Sequence, residues 1–381
     1  MFFIHIQIYN AHFVNNLTNK IKILISPLDW GLGHATRCVP LLKRLQECGH
    51  SIIIASSNHA KALLQKEFPD FYFTELPGYN ITYSKHKRLL PVKILLQLPK
   101  IFFLVKKEKK ILENLVEKHN IDLVISDNRF GLYTNKVPCV FITHQLHIKA
   151  SSSWMEKIIR RLNYHFINKF TECWIPDLET APNLSGELSH PEKMPSVPVI
   201  YIGPLSRFTE TGTGKIKYAA AIILSGPEPQ RSLLEEKLLH VLAKRTDEKF
   251  LLIRGLPGHT EILSATDNIS VYNHLSTAEM QDAVEECEYI ISRSGYTTIM
   301  EMLSLKKKTI LIPTPGQTEQ EYLASCLMQQ QWAFCCSQDD DFETQYILAK
   351  KFTYRLPSFS QIQTGEIIED RISKLLSGVK P

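Results

Sequence analysis

Short apolar runs, each long enough for one buried strand, alternate with helical patterns along the chain, and this alternation constrains the fold most. The runs cover residues 21–26, 51–55, 122–126, 139–143, 173–175 and 199–202 in the first half, and 219–224, 249–253, 270–272, 289–291, 309–312 and 333–335 in the second. Such alternation predicts parallel sheets covered by helices, with ligands at the carboxyl ends of the strands. We therefore predict an α/β protein with two Rossmann-like domains facing each other across a cleft.

The length of 381 residues suits two domains better than one. We predict an N-terminal extension (1–20), a first domain (21–206), a polar, glycine-containing linker (207–216), a second domain (217–356) and a C-terminal helix within 357–381. A hydrophobic fraction of 44% and a charged fraction of 22% are typical of soluble proteins. Since no apolar run approaches the ~20 residues that span a bilayer, we expect no membrane-spanning helix.

The eight cysteines contain no CxxC pair, which favours reduced thiols and a cytoplasmic location. An acidic run, residues 339–341, is of the kind that holds a nucleotide-bound cation in some transferases, but an acidic surface turn explains it equally well. We expect no metal site and no cofactor.

The segment from Cys287 to Ala324 predicts a nucleotide site. A strand ending at Ser292 is followed by a small polar turn and a helical pattern, so a helix N-terminus points at Ser294 and Gly295. Unpaired N–H groups and the helix dipole favour an anion there. Glu301, further along the helix, can accept hydrogen bonds from the vicinal hydroxyls of a ribose.

Other residues extend the predicted nucleotide site. A second strand ends in a loop whose amides, from Gln317 and Gln320, suit a sugar. A third strand runs into a glycine turn, which makes its polar residues candidates for the diphosphate. The candidate residues of this nucleotide site are Gly33, Ser225, Gly226, Arg231, Arg293, Ser294, Gly295, Thr297, Glu301, Gln317 and Gln320.

The loop after the first strand carries the candidate base, His34. Its pair of glycines lacks the third one of a dinucleotide fingerprint, and the second strand ends without an acidic residue, so a dehydrogenase is disfavoured. A histidine at this position can take a proton from an acceptor hydroxyl near neutral pH. Asp127, at another strand end, can orient His34 or act as the base itself; alternatively, His34 only bonds the loop or a phosphate. Asp29, Arg129 and His144 are predicted on the acceptor side.

The motifs SRSGYTTIMEML, LIPTPGQTEQEYLA and GLGHATR resemble those of GT-B glycosyltransferases, in particular the family 28 N-acetylglucosaminyltransferases and the UDP-glycosyltransferases. The resemblance implies that the nucleotide site is a donor site in which Glu301 holds the ribose, Ser294 and Gly295 the phosphate, and Gln317 and Gln320 the donor sugar. It also places Arg207 near the nucleotide, as a further donor-binding residue. It also implies a UDP-linked donor, inversion at the anomeric carbon, and a C-terminal helix that crosses back to the first domain.

Residues 85–110, here called the basic stripe, carry nine basic side chains and one acid, Glu108, interleaved with leucine, isoleucine and phenylalanine. Their balance of +8 exceeds the +5 of the whole chain. This pattern suits an anionic membrane surface, at the inner face of the cytoplasmic membrane, and a lipid-linked acceptor. The alternative is a helix with an apolar core face and a solvated lysine face. Nucleic acid is disfavoured because few aromatic residues interleave for stacking.

The sequence as a whole predicts a glycosyltransferase that uses a nucleotide sugar, most simply a UDP-sugar, and a hydroxyl acceptor. Two alternatives stay open. One is a sugar-nucleotide epimerase or hydrolase of the same fold, and the other is a catalytically silent module that binds nucleotide sugars or lipids.

Overall fold

The computed structural model describes residues 20–29, 32–78, 90–150, 152–209, 214–226, 228–256, 259–260, 266–358 and 362–378. In the helical stretches, the side chains of residues 90–99, 101, 362 and 363 lie outside this description. Most of the predicted N-terminal extension, the middle of the linker and the first residues of the basic stripe therefore fall outside the described part of the chain.

Seven parallel strands form the first sheet. They are β1 (Lys22–Pro27), β2 (Ser51–Ser56), β3 (Tyr72–Glu75), β4 (Leu123–Asp127), β5 (Cys139–Ile142), β6 (Glu172–Ile175) and β7 (Val199–Tyr201). Their spatial order is β3-β2-β1-β4-β5-β6-β7. The helices of this half are α1 (Leu32–Glu47), α2 (Asn58–Glu67), α3 (Leu90–His119) and α4 (Ser153–Ile167).

Six parallel strands form the second sheet. They are β8 (Tyr218–Ile223), β9 (Phe250–Ile253), β10 (Ile269–Tyr272), β11 (Cys287–Ser292), β12 (Lys308–Leu311) and β13 (Phe334–Cys335), in the order β10-β9-β8-β11-β12-β13. Its helices are α5 (Gln230–Leu242), α6 (Thr277–Glu285), α7 (Tyr296–Ser304), α8 (Thr318–Gln329), α9 (Phe342–Lys351) and α10 (Ile362–Leu376). When the strands of each sheet are numbered from its own first strand, both sheets have the order 3-2-1-4-5-6, and the first sheet has β7 as an additional edge strand.

Strand β1 shows why the sheets need helices on both faces. Ile23 and Ile25 point into one buried cluster and Leu24 into another, because successive side chains of a strand alternate between the two faces. All three are fully buried. A sheet that is apolar on both faces has to be covered twice, and the predicted pair of parallel α/β sheets is confirmed.

Strand β3 was not predicted. Its four residues, Tyr72–Glu75, form the edge of the first sheet and are exposed or only partly buried, so the run lacks the apolar signal of the inner strands. Every other strand coincides with one of the predicted runs to within a few residues.

The two halves share one buried cluster. It includes Ile23 from the first sheet, Met300 and Leu303 from α7, and Ile368 and Ile372 from α10. Ion pairs join α10 to the first half, one of them between Arg371 and Glu172 and one between Arg44 and Glu369. These contacts hold the C-terminal helix against the first sheet, although the domain limits given above stay predictions.

The strand order brings two loops of each sheet to one point. In both sheets the first three strands are added toward one edge and the fourth and later strands toward the other edge, so the first and fourth strands are neighbours. These strands are β1 and β4 in the first half and β8 and β11 in the second. The carboxyl ends of strands at such a switch point form a crevice where ligands bind in open α/β sheets. Among the described residues, no helix is both long and apolar enough to cross a membrane.

Candidate active site

Three neighbouring strand ends of the first sheet bring His34, Asp127 and His144 together. Asp127 ends β4, His34 lies in the first turn of α1 just after β1, and His144 follows β5 by two residues. The His34 Nδ1 lies 3.0 Å from Asp127 Oδ1. The predicted pairing of His34 with Asp127 is therefore present, and His34 keeps 16% of its side chain exposed toward solvent while Asp127 has none.

Arg37 lies at the centre of this group, a role that the sequence reasoning missed. Its Nε donates to Asp127 Oδ2 at 2.6 Å, its Nη2 also donates to the Oδ1 of Asp127, and Nη1 lies 3.1 Å from His144 Nδ1. The sequence spacing could have indicated this role, because His34 and Arg37 are three residues apart on α1 and residues at this spacing share a helix face.

The charges of this group set the protonation states. Burial raises the pKa of Asp127, but the charges of Arg37 and His34 and their hydrogen bonds outweigh burial and hold that pKa well below its usual range. Burial and the neighbouring Arg37 lower the pKa of His34, against an opposing effect of Asp127. At neutral pH, Asp127 is therefore a carboxylate held by Arg37, and His34 is a neutral imidazole that can accept a proton.

Residues of the second half complete this site. The ring of Tyr296 stacks on His144 with centroids 4.1 Å apart and planes at 4°. Glu319 Oε1 lies 2.7 Å from His144 Nε2. Thr297 donates from Oγ1 to the carbonyl of Gly33 at 3.1 Å, which joins the loop after β1 directly to α7. Tyr296 and Glu319 were missed, although each is adjacent in sequence to a predicted donor-site residue.

At the switch point of the second sheet, the N-terminus of α7 is open. Its N-cap residue is Gly295, which has no side chain to cover the helix end, and a Cβ built there would meet nothing within 4 Å. Ser294 before it is fully buried, and its hydroxyl donates to the carbonyl of Gln320 at 2.8 Å. Ser225 and Gly226, in the facing loop after β8, are exposed. Gly226 has a φ of 98°, in the left-handed region that favours glycine.

Glu301 lies on α7 and is almost fully buried against Arg207. Arg207 Nε donates to Glu301 Oε1 at 2.6 Å, and Nη2 donates to Oε2 at 3.2 Å. The two predicted donor-site residues therefore form a fork-like pair, with one carboxylate lone pair on each oxygen still able to accept another hydrogen bond.

A cavity of about 320 Å³ opens beside this pair, between the two halves of the molecule. Arg207, His274, Leu275, Ser276 and Glu279 line it from the second half, and Leu63, Lys66 and Glu67 of α2 line it from the first. A volume of this size is within the range of ligand sites.

The predicted sugar-binding loop follows β12. Gln320 is buried, and its Oε1 accepts from the Thr314 N–H at 2.8 Å. Gln317 is half-buried at the N-cap of α8. The side-chain amide of Gln320 thus stabilises the loop through the backbone of Thr314, whereas Gln317 lies nearer the surface.

Three arginines predicted to contact ligands form hydrogen bonds within the protein. Arg231 donates to Glu228 Oε1 at 2.6 Å and to Glu235 Oε2 at 2.8 Å. Arg293 is buried under the loops, where it donates to the Gln230 carbonyl at 2.7 Å, and burial lowers its pKa to about 10. Arg129 is fully buried and donates to Glu108 Oε1 at 2.8 Å.

The three residues predicted on the acceptor side have different surroundings in the structure. Because Arg129 is buried against Glu108, it shapes the carboxyl edge of the first sheet and is not exposed to an acceptor. Asp29 is half-buried, 3.4 Å from the Nδ2 of Asn58. His144 is directed to Arg37 and Glu319.

The acidic run at residues 339–341 caps a helix. Asp341 is the N-cap of α9 and accepts from the Thr344 N–H at 3.1 Å. Asp340 accepts from the Ser337 N–H at 2.8 Å. Both carboxylates therefore stabilise the local backbone. The described residues contain no group of three or more His, Cys, Asp or Glu side chains that could hold a metal ion.

Family models match both halves. Residues 225–352 match the glycosyltransferase family 28 C-terminal domain, and residues 21–180 match a glycosyl transferase family 1 model. An uncharacterized glycosyltransferase of Methanosarcina acetivorans is 23% identical over 341 residues, 81% of each chain. The UDP-N-acetylglucosamine--N-acetylmuramyl-(pentapeptide) pyrophosphoryl-undecaprenol N-acetylglucosamine transferase of Clostridium perfringens is 24% identical over 301 residues, 77% of this chain and 78% of its own.

Solved structures agree on the fold. The spinosyn rhamnosyltransferase SpnG has a TM-score of 0.61 at 14% identity, over 95% of this chain and 97% of its own. MurG of Acinetobacter baumannii has a TM-score of 0.52 at 14% identity, over 95% and 100%. Together with the two switch-point sites, these similarities identify the chain as a GT-B glycosyltransferase whose second domain is of the family 28 C-terminal type.

Proposed function

We propose that the enzyme transfers a sugar from a UDP-linked donor to a hydroxyl group of an amphiphilic acceptor, with inversion at the anomeric carbon and without a metal ion or other cofactor. The observation that carries the proposal is the combination on α7 of an open N-terminus at Gly295 with a carboxylate, Glu301, further along the same helix. The open N-terminus suits a diphosphate and the carboxylate suits a ribose, so one helix could bind both parts of a nucleotide.

The nucleotide would lie across the switch point of the second sheet. Its diphosphate would accept from N–H groups at the start of α7 and approach the loop of Ser225 and Gly226. Its ribose would bond Glu301, whose orientation is set by Arg207, and its base would extend into the adjoining cavity at His274 and Leu275. The UDP moiety in the names of two relatives supports the choice of base.

His34 is the proposed base. Neutral at pH 7 and partly exposed, it can take the proton of the acceptor hydroxyl at Nε2 while Asp127 holds Nδ1. The acceptor oxygen then bonds to the anomeric carbon as the bond from that carbon to UDP breaks, and the dipole of α7 stabilises the departing diphosphate. Asp127 is the weaker candidate for the base, because it is fully buried and its charge is already bound by Arg37.

The basic stripe supports an amphiphilic acceptor at an anionic membrane, at the inner face of the cytoplasmic membrane. Within its described part, Phe103 is 67% exposed and Phe102 40% exposed, and Lys106, Lys107 and Lys110 are exposed. Its one acid, Glu108, is fully buried, so it does not neutralise the lysines at the surface. Exposed aromatic and cationic side chains together favour the headgroup region of a membrane.

The position of the basic stripe also fits this acceptor. Val105 shares a buried cluster with Leu28, the residue after β1, and Glu108 binds Arg129, which follows β4 by two residues. These contacts attach α3 to the carboxyl edge of the first sheet, the same edge that carries His34. A lipid-linked hydroxyl would therefore approach the proposed base from the membrane side.

The experiment that tests the proposal is a thermal-shift screen of UDP, TDP, GDP and ADP and their sugar derivatives. A ligand at about 100 times its dissociation constant stabilises the folded protein by about 2.7 kcal/mol. We expect UDP and one or more UDP-sugars to raise Tm. Stabilisation by TDP, GDP or ADP but not by UDP would contradict the choice of nucleobase. If a UDP-sugar binds but no free UDP is released from it on incubation, a catalytically silent binding module would be favoured.

A further inference from the structure

The arginine Arg37 contacts both the proposed base and its carboxylate partner. Its Nε donates to Asp127 Oδ2 at 2.6 Å, and its Nη2 donates to the other oxygen, Oδ1. The same Nη2 lies 2.9 Å from His34 Nδ1, which is 3.0 Å from Asp127 Oδ1. Because Arg37 and Asp127 are both fully buried, little water screens the charges of a cation, an anion and a titratable ring that are in mutual contact.

Asp127 at full charge would act on His34 in two opposite ways. Its hydrogen bond to Nδ1 holds the ring in place, which a base needs. A carboxylate in contact with an imidazole also favours the cationic form of that ring. An imidazolium carries protons on both nitrogens, so it cannot take the proton of an acceptor hydroxyl. The charge of Asp127 must therefore be offset if the carboxylate is to orient His34 and leave it free as a base.

Arg37 is the group in a position to offset this charge. The other titratable side chains near His34 or Asp127 are His144, Glu319 and Cys38. His144 Nδ1 accepts from Arg37 Nη1 at 3.1 Å, so the ring has one proton and no charge. Glu319 is an acid, and burial raises the pKa of the Cys38 thiol well above its usual range. None of these three brings a positive charge to the ring at neutral pH.

We propose that Arg37 is a positioning residue of the transfer reaction, which binds both oxygens of Asp127 and offsets its charge, so that Asp127 orients His34 without keeping it protonated. The inference rests on the proposed function in one respect, that His34 is the base. His34 and Arg37 are three residues apart on α1, so one helix carries both the base and the charge that keeps the base free.

The same charge has a second effect during transfer. Before the reaction, the charges of Arg37 and Asp127 cancel and His34 is neutral. Once His34 has taken the proton of the acceptor hydroxyl, the three side chains together carry a net positive charge. Gly33, the residue before His34, accepts from Thr297 in the first turn of α7 at 3.1 Å, so this charge arises close to the proposed diphosphate site. It would stabilise the negative charge that grows on the departing diphosphate.

The first test is the pH profile of kcat for Arg37→Met, which removes the charge, and for Arg37→Lys, which keeps it. Arg245→Met is the matched control, because Arg245 is a partly buried arginine bound to two carboxylates in the second domain. We expect the loss of kcat in Arg37→Met to be about tenfold larger near pH 6.5 than near pH 8.5, since a charge in contact with a histidine changes the neutral fraction of its ring by about this factor or more.

Arg37→Lys and Arg245→Met should keep the shape of the wild-type profile, even if their kcat is lower. A loss in Arg37→Met that is the same at every pH would show that Arg37 only supports the structure, and would overturn the proposal. The same change of profile in Arg245→Met would overturn it as well.

A second measurement needs no activity. NMR titration of the His34 ring, with the signal assigned by His34→Asn, gives its pKa, and we expect a higher pKa in Arg37→Met than in the wild type. If Arg37→Met does not fold, the double variant Arg37→Met/Asp127→Asn contains neither charge, and the pKa of His34 should be higher in it than in Asp127→Asn.

An equal pKa of His34 within the pair that is compared would overturn the proposal, even if the enzyme transfers sugar. The expected difference in pKa, in a protein that transfers no sugar, would support the effect of Arg37 on His34 and contradict only the proposed function.

Discussion

Arg207 donates to both carboxylate oxygens of Glu301, from Nε at 2.6 Å and from Nη2 at 3.2 Å. The pair is largely buried at the edge of a cavity between the domains. Arg207 therefore fixes the orientation of the carboxylate, and the ribose of the proposed donor would add its hydrogen bonds to lone pairs that the arginine leaves unused. Removing either partner would leave a partly buried charge behind, so variants of this pair need a conservative design.

We expect Glu301→Gln to raise the dissociation constant of UDP by about tenfold or more, because charge-assisted hydrogen bonds contribute about 1.5–3 kcal/mol each. Calorimetry with UDP measures the change. Glu288→Gln, an exposed glutamate on β11, is the control and should bind UDP as the wild type does. Wild-type affinity of Glu301→Gln for UDP and for every other nucleotide that binds would show that the ribose assignment is wrong.

For His34→Ala we expect turnover to fall by about 10²–10⁴, with UDP affinity nearly intact, as for loss of a general base. Steady-state kinetics and calorimetry on the same preparation separate the two quantities. His240→Ala, at an exposed histidine of α5, serves as the control. If His34→Ala instead lost most of its UDP affinity, His34 would be a phosphate contact.

The pH dependence of turnover follows from the lowered pKa of His34. Burial and Arg37 move this pKa below its ordinary value of 6.5, and the base works only when neutral. The decline of turnover as the pH falls should therefore be centred below pH 6.5, because protonation of His34 removes the base. A profile of kcat against pH tests this, and a decline centred above pH 6.5 would contradict the assignment of His34.

The buried pair of Glu108 and Arg129 predicts a large effect on stability. Arg129→Met leaves the Glu108 carboxylate buried without its main partner and should lower the free energy of unfolding by about 3–5 kcal/mol. Adding Glu108→Gln removes that charge and keeps the hydrogen bond to the Gly131 N–H, so the double variant should recover much of the loss. Urea denaturation measures both, and equal stability of the single and double variants would show that the pair is not coupled.

Binding to anionic membranes should depend on Lys106, Lys107 and Lys110. At about 1 kcal/mol for each basic side chain near the surface, their change to glutamine should clearly reduce sedimentation with anionic vesicles. UDP affinity should not change, because the proposed donor site is in the other domain. The control changes three exposed lysines elsewhere, Lys193, Lys244 and Lys351. Equal sedimentation of wild type and variant with anionic and neutral vesicles would make the lysines a solvated helix face.

The sequence predicts the fold well because buried parallel strands leave an apolar signal that needs no partner to be recognised. The edge strand Tyr72–Glu75 could not be predicted, because two of its four residues are exposed and the other two are only partly buried. The two loops at the switch point of the second sheet also follow from sequence, since each comes after a buried strand and carries a glycine before a helix, as at Ser225 and Gly295.

The candidate site is less predictable where it depends on contacts between the halves. Glu319 and His144 are 175 residues apart, and no local pattern indicates that they meet. Arg129 was predicted on the acceptor side and Arg231 as a candidate for the diphosphate, but in the structure their charges are paired inside the protein, with Glu108 and with Glu235. Sequence shows which side chains are charged, while only the packed structure shows which charges are already paired.

Product analysis with UDP-sugars tests the central claim most directly. The wild-type enzyme, a panel of UDP-sugars and amphiphilic alcohols in detergent or anionic vesicles are incubated, and free UDP, sugar isomers and glycosylated products are measured together. We predict UDP release matched one to one by a glycoside of inverted anomeric configuration, and its loss in His34→Ala. Formation of an isomeric UDP-sugar without UDP release, or tight UDP binding with no turnover of any UDP-sugar, would contradict glycosyl transfer as the function of this site.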